Sequence, residues 1–144
     1  MKYEGTVEQI VRKFCRLEYL GYGLYMQISK SCPAGSSARK QIEEVAKDEY
    51  RHGVMFGNFL KNKYSVSTMP KFWISLGRTI GCLMTCIPTK SKIKRFSKLE
   101  EEACKDLAKA LESERWVEMH KLLKAIQPDE LRHAQLYDSI YGAG

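Results

Sequence analysis

The sequence predicts an all-α protein: an antiparallel four-helix bundle with an extra apolar crossover segment between helices 2 and 3. Three observations lead there. Apolar residues recur at helical spacing through most of the chain. Proline, glycine and serine clusters punctuate it only a few times. A five-residue pattern, Asp-Glu-x-Arg-His, appears at Asp48–His52 and again at Asp129–His133, once in each half.

The first helix is expected from Thr6 to about Ser31, where Ile10, Phe14, Leu17, Gly21, Leu24, Tyr25 and Ile28 form one buried stripe. Pro33, Gly35 and the serines after it break that period, and Ser37 is the expected cap of the next helix. The second helix is placed from about Ala38 to Lys63, with Ile42, Val45, Ala46, Glu49, His52, Val54, Phe56, Phe59 and Leu60 inward. Two long helices with a short connection pack antiparallel. After Pro70 the segment Phe72 to Pro88 is apolar but carries Arg78 and two glycines, too short and too charged for a membrane span. The third helix is expected from Ser97 to Leu111, with Leu99, Ala103, Leu107, Ala110 and Leu111 on one side. The fourth runs from near Glu114 to Tyr141, bent or interrupted at Pro128, whose ring removes a backbone donor and clashes with the preceding turn.

Length and composition fit one domain over residues 1–144. A chain of 144 residues buries about two thirds of its unfolded surface, and 44% hydrophobic with 28% charged residues is a globular composition. The net charge of +7 is spread along polar helix faces except at Lys90, Lys92, Lys94, Arg95 and Lys98, read as a solvated basic linker. No nucleic-acid-binding signature accompanies that run, so no nucleic-acid partner is expected. The five cysteines are an odd number and no secretory pattern opens the chain, which points to a reducing cytoplasm. Cys82 and Cys86 are expected to pack in a core, and with no Cys-x-x-Cys pair no rubredoxin-type iron centre is encoded.

The chemistry lies in the repeated motif. Residues three apart share a helix face, so Glu49 and His52 converge on one point, as do Glu130 and His133. Burying carboxylates without compensation costs several kcal/mol, and a cation is the cheapest compensation. Glu18, on the inward stripe of the first helix, precedes Glu49 by nearly the distance at which Glu100 precedes Glu130. Glu101 and Glu102 are rivals of Glu100, one residue of helix phase away. Four glutamates and two histidines, a ligand set from every helix, suit a carboxylate-bridged pair of metal ions. Hard oxygens with two imidazoles and no thiolate favour iron, with manganese the next choice. A metal-bound histidine offers its other ring nitrogen to an acceptor. Asp48 and Asp129 are expected there, each toward the histidine of the other motif and held by Arg51 and Arg132; the competing reading is surface ion pairs.

These residues resemble the ferritin-like di-iron carboxylate superfamily, whose members carry Glu on the first and third helices and Glu-x-x-His on the second and fourth. The resemblance spans nearly the whole chain. The motif itself resembles those of multicomponent monooxygenases and acyl-carrier-protein desaturases, which are far larger. Rubrerythrin is more similar in size and in the pattern Glu18-x-x-Gly21-x-x-x-Tyr25. Its usual rubredoxin tail is missing here, which implies a separate electron-donor protein. The stretch from Pro70 to Gly81 resembles the apolar stretch of demethoxyubiquinone hydroxylase, which in that family sits on a membrane and admits a quinone. With the basic run after it, that stretch is a candidate peripheral anchor on an anionic surface; the competing and preferred reading is an ordinary crossover helix.

The resemblance implies two iron ions that react with O2 or peroxide. Tyr25 is the candidate catalytic side chain, lining the pocket or carrying protons or electrons together with Tyr22, against the alternative that both are plain core. His120 is expected on a helix surface. The leading function is a rubrerythrin-like oxidoreductase. Behind it stand a membrane-associated hydroxylase of a lipid or quinone-like substrate, an iron-binding or storage protein without turnover, and a metal-free helical adaptor. A homodimer stays open.

Overall fold

The computed structural model describes residues 5–142, and among them there is helix and no strand. In chain order the elements are α1 (Val7–Ser29), α2 (Ser37–Tyr64), α3 (Pro70–Leu83), α4 (Thr89–Glu112), a 3₁₀ helix (Glu114–Met119), α5 (His120–Ala134) and α6 (Leu136–Tyr141). They form two compact units that divide between Cys86 and Ile87.

In the first unit α1 starts where its cap dictates. The Thr6 hydroxyl accepts from the Gln9 amide at 3.2 Å while the Gln9 side chain accepts from the Thr6 amide at 3.0 Å, a reciprocal capping box. Ser36, one residue before the expected Ser37, caps α2 by accepting from the Arg39 amide; Ser37 is already helical. Cross-helix contacts give the packing direction. Cys15 meets Gly53, Glu18 meets His52, Tyr22 meets Tyr50 and Ser29 meets Glu43. Position rises along α1 as it falls along α2, so the two run antiparallel.

The apolar segment after Pro70 folds as α3, which runs parallel to α1: Arg16 lies by Trp73, Leu20 by Gly77 and Gln27 by Gly81. Glycine makes this crossing. A Cβ on Gly23 would strike the backbone of Ile74 and Arg78, and one on Gly77 would strike the backbone of Leu20 and Leu24. Small residues let two helix backbones approach this closely. No helix among the described residues is long and apolar enough to cross a membrane. Cys82 and Cys86, expected in a core, are exposed; the glycine face of α3 that meets α1 leaves Cys82 outward, and Cys86 lies in the turn after the helix. Leu17, expected on the inward stripe, is 50% exposed; the true stripe passes through Cys15, Glu18 and Tyr19, one residue out of phase with it.

In the second unit α4 begins at Thr89, well before the expected Ser97. The basic run is therefore no linker but the opening turns of a helix, in which Lys92 and Ile93 are buried. Lysine is a good helix former. Lys90 and Lys94 stand over the rings of Tyr141 and Tyr137 at 5.5 and 5.7 Å, and the Ser97 hydroxyl accepts from the Tyr137 amide. These pairings run α4 antiparallel to the α5 and α6 segment. Leu99, expected inward, is 51% exposed, while Leu107 is buried.

The expected fourth helix is three pieces, and its breaks fall beside His120 and at Gln135 rather than at Pro128. Pro128 lies inside α5. The buried residues Leu123, Ile126, Glu130 and His133 keep helical phase across it, so side-chain burial on both sides holds the helix through the missing donor. His120 is half-buried, its ring nitrogen 3.3 Å from the Ser113 carbonyl.

Candidate metal centre

The first unit brings three donors together. Glu18 comes from α1, and Glu49 and His52, one turn apart, come from α2. Each offers a ligand atom, and those atoms lie within 4.8 Å of one another. His52 is fully buried and Glu49 is 6% exposed, while Glu18 is half-buried with its carboxylate 3.5 Å from the His52 Nδ1. The seat of Glu49 is made by a residue with no side chain: a Cβ on Gly21 would collide with the Glu49 carboxylate.

The second unit places Glu100 on α4 and Glu130 and His133 on α5. Glu100 and His133 offer ligand atoms within 4.8 Å of each other. Glu130 and His133 are buried at 7% and 1% exposure, and Glu100 is half-buried while Glu101 and Glu102 are exposed. The burial favours Glu100 over its two rivals.

The aspartates and arginines of the motifs pair within their own helices. Arg51 donates to Asp48 at 3.1 Å and Arg132 meets Asp129 at 2.6 Å. In both pairs the arginine is exposed; Asp129 is buried and Asp48 half-buried. Tyr25 is 2% exposed within the first unit. Tyr22 is half-buried, with its ring 5.3 Å from that of Tyr50.

Sequence reasoning passed over the support behind the first donor set. The Tyr19 ring packs directly on the Cα of Gly53, the residue after His52, and the Cys15 thiol donates to the Gly53 carbonyl at 3.4 Å. A glycine next to a candidate ligand, with an aromatic next to Glu18, was the available signal. Burial first, then the Glu18 charge, pushes the Cys15 thiol up to about 11, against an opposing pull from Arg16. Burial, then Cys15 and Tyr50, raises the Tyr19 phenol to about 12. In the second unit burial, followed by Glu130, Glu100 and Glu101, raises the Cys104 thiol to about 11. The groups whose ligand atoms converge are carboxylates and imidazoles, with no thiol among them, a hard donor set that fits iron or manganese.

The chain matches the Rubrerythrin family over residues 9–141, a span that takes in α1, α2, α4 and α5 together. It belongs to the rubrerythrin family. No curated protein and no solved structure matches it. As a rubrerythrin-family chain it has the ferritin-like all-α fold that the sequence predicts, and its buried carboxylates and imidazoles fit a di-iron protein.

Proposed function

We propose that the chain is a di-iron oxidoreductase of the rubrerythrin kind, in which the Glu18, Glu49 and His52 set and the Glu100, Glu130 and His133 set hold two iron ions and react with peroxide or O2. The observation that carries this reading is the repetition of one buried Glu/His donor pair in both halves of the chain. Bound as a ferrous pair, the irons supply two electrons at once. The protein does the rest. Glu49 and Glu130 present oxygens from rigid helices, so little ordering remains to be done on binding. Asp48 and Asp129, held by Arg51 and Arg132, would serve as acceptors for the far ring nitrogens of metal-bound histidines and fix their tautomers. Tyr25, buried in the first unit, is the candidate to carry a proton or an electron. Electrons come from a separate donor protein.

Stopped-flow mixing of the iron-loaded, reduced chain with peroxide and with O2 tests the proposal, and faster oxidation by peroxide is the expected result. Iron oxidation that never turns over would indicate storage. Purified protein without tightly bound iron or manganese would refute the metal reading in favour of a helical adaptor.

A second reading, a hydroxylase working on a lipid or quinone-like substrate at a membrane surface, draws on α3 and its flanks. Met69, Phe72 and Leu83 are 66%, 53% and 76% exposed there, and basic residues open α4. Flotation with anionic vesicles separates the two readings, since absence of binding removes the hydroxylase.

A further inference from the structure

The first unit contains a cleft of about 340 Å³ between α1, the end of α2, residues 65–69 and the start of α3. It takes no part in the donor sets above. Protein interiors rarely leave a void of this size, whereas small-molecule sites begin at about 300 Å³. Its inner end is closed by Cys15 and Tyr19, at 2% and 4% exposure. Its sides are apolar, formed by Leu60, Val66, Phe72 and Trp73. Phe72 is about half exposed, which leaves a ring face for an occupant to cover.

Charge at the cleft has one sign. Arg12 and Arg16 line it, and no acidic residue does. Arg12 is engaged by Glu8 through two contacts of 2.9 and 2.6 Å. Arg16 is exposed, with its guanidinium stacked 5.5 Å over the Trp73 ring, which holds the planar fork in place while leaving its edge toward solvent. Ser67 and Thr68 are among the lining residues. An apolar interior with a guanidinium held over a ring at its edge selects a molecule with an apolar body and an anionic head. A carboxylate matches the guanidinium fork bidentately. A cationic amphiphile would meet two arginines.

We propose that this cleft binds a small amphipathic carboxylate, its aliphatic or aromatic body between Tyr19 and Trp73 and its carboxylate on Arg16. Tyr19 follows Glu18 in the chain and packs on the residue after His52, so the occupant lies directly behind the first donor set. The binding itself needs no metal.

Isothermal titration calorimetry of the full chain with octanoate tests this, with octylammonium as the charge-reversed probe. Saturable binding of octanoate is expected, with none for octylammonium. Arg16→Gln, an exposed substitution that leaves the fold intact, weakens octanoate about tenfold, the loss for one charge-assisted hydrogen-bonded contact. Ser67→Phe, at an exposed position on the lining, obstructs entry and weakens it as well. Absence of saturable octanoate binding, equal binding of octylammonium, or affinity untouched by either substitution would overturn the proposal.

Discussion

Gly21 of α1 leaves open the space that the Glu49 carboxylate of α2 occupies. Any side chain at position 21 must push Glu49 aside. Gly21→Ala should therefore retain the helices, since alanine favours helix over glycine, yet lower iron affinity by about 10- to 100-fold, the usual effect of disturbing a ligand's support. Circular dichroism and competitive iron titration read the two quantities separately. Wild-type affinity in the variant would show that Glu49 binds no metal.

Removing a donor outright should act more strongly. Glu49→Ala in the first unit and His133→Ala in the second should each abolish binding of at least one iron, with helix content near normal. Either variant retaining full occupancy by metal analysis refutes the donor assignment. Because the two donors belong to different units, comparing them also tells whether one ion can stay when the other is lost.

Tyr19 makes a prediction at alkaline pH. Its phenol is raised to about 12 by burial, from an ordinary 10, so the fold favours the neutral form. That contribution is complete below pH 10. It is lost as pH climbs from 10 to about 12, where the unfolded chain releases the proton and the folded chain keeps it. The stability difference between wild type and Tyr19→Phe, from urea unfolding of the apoprotein, should shift against wild type by roughly 2 kcal/mol across that window. A difference flat with pH would contradict the burial of the phenol.

The α1 and α3 crossing supplies a fourth test. Gly77→Val must force the backbones apart, and overpacking of this kind costs about 1–3 kcal/mol. Urea unfolding should show the loss. A red shift of tryptophan emission would accompany it if Trp73 leaves its place beside Arg16. Unchanged stability would mean that α3 does not pack at Gly77.

The fold class and the two Glu/His pairs of the candidate site were legible because they depend on local repetition. Glu49 and His52, or Glu130 and His133, are one helical turn apart in any α-helix, and the tandem motif marks both halves. Features that depend on a neighbour's backbone were not legible. Nothing in the residues around Gly77 says that Leu20 and Leu24 lie against it. The lysine run before Ser97 looked like a linker because charge suggested solvent, whereas Lys92 and Ile93 are buried in α4. Pro128 was the wrong place to break the last helix because burial at Ile126 and Glu130 outweighs one missing donor. Leu17 and Leu99 show the limit of phase assignment by apolarity, since both are exposed beside inward glutamates.

The glycine contact between α1 and α3 fixes one wall of the cleft beside it. Sliding α3 by a single residue would bring Leu76 or Arg78 against the α1 main chain, where nothing larger than hydrogen fits, so the helix has one seating and no graded alternatives. Phe72 and Trp73 ride on that helix. The places of these two rings at the cleft are therefore set by glycines further along the same helix.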